Sequence, residues 1–194
     1  MPDAPETLEE HVIHDGPRFT VRAGRFRHPD GSEVEREWVD APDAVAIVAY
    51  DDEQVYLVRQ PREAIGRGDI LELPAGLMDV EGEHPIDTAR RELREETGLE
   101  AEHWREVLRM QLSNSVTDET GVGYIATGLR HVGDEPDETE VLAIERPPFR
   151  EVLDAALAGH IVDVMTIAML LRAYQMAQEG QLPGDLARRM LGPT

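Results

Sequence analysis

The chain predicts an α+β fold: a mixed sheet between helices, preceded by an antiparallel β-hairpin. Three observations carry this. Short apolar runs of strand length recur from Phe19 to Ile144, one strong helical pattern interrupts them between Pro85 and Gly98, and two more helical patterns close the chain. Its 194 residues suit one domain with a small appended sheet and can bury a proper core.

Residues 1–16 read as a polar lead-in. Phe19 to Arg27 alternates loosely as a strand, His28 to Ser32 is a turn built on Asp30-Gly31, and Glu33 to Asp40 returns. A two-stranded hairpin is marginal alone, so it must pack on the main domain or on another subunit. Val45 to Tyr50 is a buried-looking strand, followed by an acidic turn, Asp51 to Gln54, and a strand from Val55 to Arg59. Ile70 to Leu73 is a short strand that delivers Pro74-Ala75-Gly76 to a loop. Pro85 suits the first turn of the next helix because its missing N–H is not needed there, and Gly98 suits its end.

Further strands are expected at Glu106 to Leu112, Gly121 to Leu129 and Val141 to Ile144. After Pro147-Pro148, residues 149–158 and Asp163 to Gln178 read as helices. Val164, Ile167, Ala168, Leu171 and Tyr174 form one stripe of the second, taken as its core face, and the apolar run from Val164 to Leu171 is interrupted by Thr166. From Gln181 onward a loosely held tail is expected. The predicted organisation is thus 1–43 hairpin region, 44–180 main domain and 181–194 tail.

The chain has no cysteine, which excludes disulfides, thiolate catalysis and cysteine-based zinc sites. No basic-then-apolar leader and no run of roughly 20 apolar residues is present, so a cytoplasmic protein is the natural expectation. Net charge is −21, and all 19 basic residues are arginine. Such a surface repels nucleic acid and anionic membranes, and neither is expected as a partner. Two readings of the acidity compete: a halophile's cytoplasm, where salt screens self-repulsion, or a GC-rich genome that favours arginine; the first is preferred.

Between Gly76 and Leu99 lies the most informative stretch. Glu92, Glu95 and Glu96 stand at i, i+3 and i+4 of the central helix, so their carboxylates share one face and repel. Such a face is either solvated acid or the seat of a hard divalent cation, which takes oxygen ligands. Just ahead, VRQPREAIGR places Arg59, Arg62 and Arg67 near the loop, either as an anion clamp or paired with carboxylates such as Glu63 and Asp69.

Gly76, Glu83 and Arg91-Glu92-Leu93-Arg94-Glu95-Glu96-Thr97-Gly98-Leu99 resemble the signature of the Nudix hydrolases, with a loop one residue longer than the family pattern. The longer loop, R-Q-x-R and L-E-L-P-A-G are similar to the ADP-ribose pyrophosphatases. The resemblance implies a Nudix-type α/β/α sandwich with a mixed sheet, and a homodimer formed through the N-terminal sheet. It implies Mg²⁺, two or three ions per site with Mn²⁺ as a substitute, held by Glu92, Glu96, Glu140 and the carbonyl of Ala75. It further implies a supporting role for Glu95, substrate contacts from Arg59, Arg62 and Glu72, and Glu138 as general base. The register of that last assignment leaves Glu135 or Asp137 open. Arg91 is expected to orient a glutamate, and Glu83 to reach the helix start or the metal shell.

The implied reaction is hydrolysis of a nucleoside diphosphate linked to another moiety, with ADP-ribose giving AMP and ribose 5-phosphate. One departure bears on substrate: Asn114 stands where ADP-ribose-cleaving members commonly carry proline, leaving another ADP-sugar, a GDP-sugar or a dinucleotide open. A reading from another class is a non-catalytic sensor that binds ADP-ribose. The seven histidines form no HxxxH, and no nucleophile elbow or lysine-bearing phosphate loop occurs.

Overall fold

The computed structural model describes residues 4–133 and 143–192. The chain divides into two compact units, Met1–Asp43 with Gln111–Thr120, and Ala44–Met110 with Gly121–Thr194.

In the first unit β1 (Glu6–Asp15), β2 (Thr20–Arg27) and β3 (Glu33–Asp40) form an antiparallel sheet in that order. The Asp-Gly turn is where it was expected. Gly31 takes φ 84°, and the Asp30 carboxylate accepts the Ser32 N–H at 2.9 Å and its hydroxyl at 2.6 Å. The polar lead-in, however, is itself a strand. Nearly every β1 residue is exposed, so no face imposes an apolar alternation that a sequence could display. Its ladder to β2 holds it, with Arg27 to Glu6 at 3.1 Å and Arg22 to Glu10 at 2.7 Å across the strands. Pairs this exposed are screened by solvent and add little to stability. The 111–120 segment joins this unit through the Val39 N–H to the Val116 carbonyl, 2.8 Å.

In the second unit β4 (Ala44–Asp51) is buried from Ala44 to Tyr50. The elements that follow are β5 (Gln54–Val55), β6 (Leu57–Arg62), β7 (Arg67–Glu72), β8 (Ala75–Leu77), α1 (Pro85–Thr97), β9 (Leu99–Gln111), β10 (Thr120–His131) and β11 (Ala143–Glu145). The chain closes with α2 (Phe149–Leu157), α3 (Val164–Gln178) and α4 (Gly184–Leu191). Strand β4 pairs parallel with β10 and antiparallel with β5 and β8, giving the expected mixed sheet, ordered β5-β4-β10-β9 with β8 beside β4. A smaller antiparallel sheet runs β11-β6-β7.

Side-chain alternation along the strands sends the two faces to different helices. Val45, Ile47, Ala49, Val122 and Tyr124 pack with Ala89 and Leu93 of α1. On the other face a Cβ at Gly123 would collide with the sulfur of Met169, so α3 lies close against bare backbone there.

Two further expectations are corrected. The buried face of α3 is Met165, Thr166, Met169, Leu170, Ala173, Met176 and Ala177, whereas Val164 and Leu171 of the expected stripe are exposed. Both stripes fit a 3.6 period, and the expected one carries the β-branched Val164 and Ile167 with Leu171, so periodicity alone did not separate them. The tail is also firmer than expected: Leu182, Leu186, Ala187 and Met190 are buried, and α4 packs on α3.

Candidate active site

Helix α1 begins at Pro85, and its first turn is secured from outside. Glu83 accepts the Thr88 hydroxyl at 2.8 Å and Arg91 Nη2 at 3.1 Å, which places it at the helix start. Arg91, then Thr88, hold the Glu83 carboxyl below the usual carboxylate range. At the other end Gly98 takes φ 67° and donates to the Arg94 carbonyl, a conformation that favours glycine.

Two of the three signature glutamates turn onto the loop that precedes the helix. Glu96 is 6% exposed, and its Oε2 accepts the Ala75 N–H at 2.9 Å. The carboxyl of Glu92 lies so close to Gly76 that a Cβ there would overlap it. Only glycine permits that approach. Glu95 is different: its side chain is 42% exposed and pairs with Arg91 Nη1 at 3.1 Å.

Arg91 ties the group together, donating to Glu92 Oε1 at 2.6 Å, to Glu95 and to Glu83. These bonds, with Glu83 foremost, raise its pKa. The expected ion-pairing role of Arg91 is the one its geometry displays.

The loop is pinned residue by residue. Leu73 N–H donates to Thr166 Oγ1 at 2.9 Å, the Pro74 carbonyl accepts the Ile47 N–H at 2.9 Å, and Ala75 N–H meets Glu96. Strand pairing of Ala75 with Ala46 and of Gly76 with Val45 continues the hold.

The arginines ahead of the loop are paired. Arg62 grips Glu72 with two bonds, Nε to Oε1 at 3.0 Å and Nη2 to Oε2 at 2.5 Å, and Gln60 Nε2 adds a third at 3.0 Å. Glu72 is 6% exposed, so its carboxylate is committed to Arg62 and Gln60. Arg59 Nε meets Glu145 Oε1 at 2.5 Å, with a second bond to the Asp69 carbonyl, whereas Arg67 lies 3.8 Å from Asp69 at the surface. Glu138 and Glu140 lie outside the described residues.

Sequence reasoning missed Gln60, Glu145, Asp163 and Thr166. Asp163 Oδ2 accepts the Thr166 N–H at 2.7 Å and caps α3. The available signal was Thr166 itself, a polar residue in an apolar helical run, three residues after an aspartate.

A cleft of about 530 Å³ opens on the outer flank of α1, lined by Arg90, Arg94, Glu95 and Trp104 among others. Its arginines face carboxylates already, Arg90 to Asp87 at 3.0 Å and Arg94 to Glu100 at 3.6 Å. Among the described residues no three His, Asp or Glu side chains form a metal-holding group. Glu92 and Glu96 still fit a hard cation in chemistry. Glu92 sets its carboxylate against the bare backbone of Gly76, and Glu96 sets its own against Ala75.

The NUDIX domain model matches residues 40–165. An ADP-ribose pyrophosphatase of Mycobacterium tuberculosis is 40% identical over 172 residues, 87% of this chain and 83% of that protein. CMP-5'-(N-acetyl-N-hydroxy-3-aminopropyl)phosphonate hydrolase of Streptomyces rubellomurinus is 32% identical over 175 residues, 90% and 84% of the two chains. A crystal structure of an ADP compounds hydrolase superposes with a TM-score of 0.80 at 22% identity, covering 94% of this chain and 99% of that one, and so shares the fold. With its signature helix seated on the glycine loop and a domain match over most of its length, the chain belongs to the NUDIX family.

Proposed function

We propose that this protein hydrolyses ADP-ribose to AMP and ribose 5-phosphate in a divalent-metal-dependent reaction. The observation that carries the chemistry is the seat of Glu92 and Glu96 on the Ala75-Gly76 loop. The substrate is supported by the 40% identity to an ADP-ribose pyrophosphatase along most of both chains.

Glu92, Glu96, the Ala75 carbonyl and Glu140 would hold Mg²⁺, two or three ions per site, with Mn²⁺ as a substitute. Divalent cations held there would supply charge neutralisation for the diphosphate and make a water easier to deprotonate. Glu138 accepts the proton of the attacking water, whose oxygen joins one phosphorus as the bond from that phosphorus to the bridging oxygen breaks. Arg59 and Arg62 present guanidinium donors to the nucleotide. Glu72 contributes by fixing the plane of Arg62, consistent with its burial and its bidentate bond, and Arg91 with Glu95 keeps Glu92 in orientation.

The protein functions in the cytoplasm as a homodimer through its N-terminal sheet, a reading supported by exposed Val12 and Ile13 on β1. Light scattering after size exclusion gives the mass directly.

The deciding experiment is product analysis with Mg²⁺ and ADP-ribose beside ADP-glucose, GDP-mannose and NADH, at low and molar KCl, with Glu96→Gln as control. AMP and ribose 5-phosphate forming fastest from ADP-ribose and collapsing in the control is the expected result. Faster turnover of another compound overturns the substrate and assigns Asn114 a selective role. Tight ADP-ribose binding without products restores the sensor.

A further inference from the structure

We infer that Thr166, which lies far outside the signature, is a positioning residue for the metal-binding loop. It sits in the first turn of α3 and is fully buried, yet it carries the only side-chain bond that reaches the Leu73 backbone among the described residues. Its Oγ1 accepts the Leu73 N–H at 2.9 Å across 93 positions of sequence.

Three elements hold three successive residues of this loop: α3 holds Leu73, β4 holds the Pro74 carbonyl, and α1 holds Ala75 through Glu96. The last contact is the informative one. Ala75, whose carbonyl is proposed as a metal ligand, uses its N–H to fix the carboxylate of Glu96, so a shift of the loop moves two proposed oxygen donors together. A shift also carries Gly76 against or away from Glu92, where there is no spare room.

Thr166 is in turn fixed. Asp163 Oδ2 takes its N–H at 2.7 Å, and the Asp163 carbonyl takes the Ile167 N–H at 3.0 Å. The N-terminus of α3 is therefore a rigid strut with one acceptor aimed at the loop. Groups that hold metal ligands in place change metal affinity or activity by about 10–100-fold when removed. Without the Thr166 oxygen, Leu73 N–H is left buried and unpaired, and the loop must move to find water or another acceptor.

The inference rests on Glu92, Glu96 and Ala75 forming the metal site, and its test does not require the substrate to be known. Thr166→Val keeps the shape and removes the acceptor, Thr166→Ser keeps the acceptor and removes the methyl, and Asp163→Asn loosens the strut by one charged bond. Mn²⁺ binding is followed by electron paramagnetic resonance on the full chain without substrate, beside Tm and the Mg²⁺ dependence of ADP-ribose turnover. Thr166→Val is expected to weaken Mn²⁺ binding by about ten-fold, to raise the Mg²⁺ needed for half-maximal rate by a similar factor, and to leave KM for substrate at saturating metal within about two-fold. Thr166→Ser is expected to restore both, with Asp163→Asn intermediate.

A lowered Tm in Thr166→Val with unchanged Mn²⁺ affinity would show a purely structural role and overturn the inference. Should Thr166→Val fail to fold, Asp163→Asn decides: unchanged Mn²⁺ affinity in that folded variant overturns it equally. Failure of ADP-ribose as substrate leaves the Mn²⁺ readout intact, so the two readings fail separately.

Discussion

Glu96 meets two demands that usually conflict, burial and charge. At 6% exposure its carboxylate needs compensation, and the Ala75 N–H supplies one bond from the loop it helps define. Glu96→Gln keeps an oxygen for that N–H and removes the charge. The fold is expected to survive, with Tm within a few degrees, while kcat falls by more than the roughly 10–100-fold typical of groups that merely hold a ligand; steady-state kinetics beside a thermal melt separates the two. Tyr50 makes a contrasting case. It is 1% exposed, stacks edge-on to Phe149 at 5.9 Å, and its hydroxyl has no hydrogen-bond partner among the described residues. Burial pushes its pKa up to about 12. The folded state keeps the phenol proton while the unfolded chain releases it near its ordinary value of 10.0, so this contribution is full below that pH and is lost as pH rises toward 12. Tyr50→Phe removes an unsatisfied buried group and is expected to stabilise by about 1 kcal/mol at neutral pH. Urea melts from pH 7 to 11 should show the gain widening above 10; a destabilised variant would mean the hydroxyl finds a partner.

At the scale of elements, the two-residue turn between β4 and β5 shows what a local sequence concedes to tertiary need. Tyr50 pairs with Val55 and Asp51 with Gln54, leaving Asp52 and Glu53 in the loop at φ 46° and 69°. Two positive φ values are the requirement of a type I′ turn, which prefers Asn-Gly. Glu53 is the poorer fit, and Glu53→Gly is expected to stabilise by about 0.5–1 kcal/mol, measured as a shifted urea midpoint with unchanged slope. Helix α1 was legible because capping proline, C-terminal glycine and the glutamate spacing all agree. Helix α3 was placed correctly but rotated wrongly, since Met165, Met169, Ala173 and Met176 compete with Val164, Ile167 and Leu171 at equal periodicity. Which stripe is buried depends on Gly123 offering a gap for Met169 and on Leu73 needing the Thr166 oxygen. Neither fact is local.

For the whole molecule, the net charge of −21 sets the conditions under which it is stable. Arginines are largely committed to neighbours, as with Arg27 to Glu6 and Glu33 and Arg91 to three glutamates, so the excess carboxylates repel across an open surface. Raising KCl from low to molar concentration shortens the screening length to about 3 Å and should raise Tm progressively. A Tm that falls or stays level between 0.05 and 2 M KCl, taken as approximate limits of that range, would favour the reading in which genome composition alone produced the arginines and the acid. In neither case does the charge decide the fold.

The sequence by itself determined the family, the mixed α+β architecture, the signature helix with both its ends, and the acids on its face. Those features rest on spacing within one element, where neighbours in the chain are neighbours in space. Only the tertiary structure decided that β1 is a strand, which face of α3 is buried, that Glu72 is spent on Arg62 and Gln60, and that Arg59 is tied to Glu145. It also decided that Glu92 and Glu96 close on Ala75 and Gly76 while Glu95 stays outside. Strand β1 was hidden because its exposed faces impose no apolar alternation; the others depend on contacts between separate elements, and such an interaction leaves no period, cap or turn by which either residue announces the other.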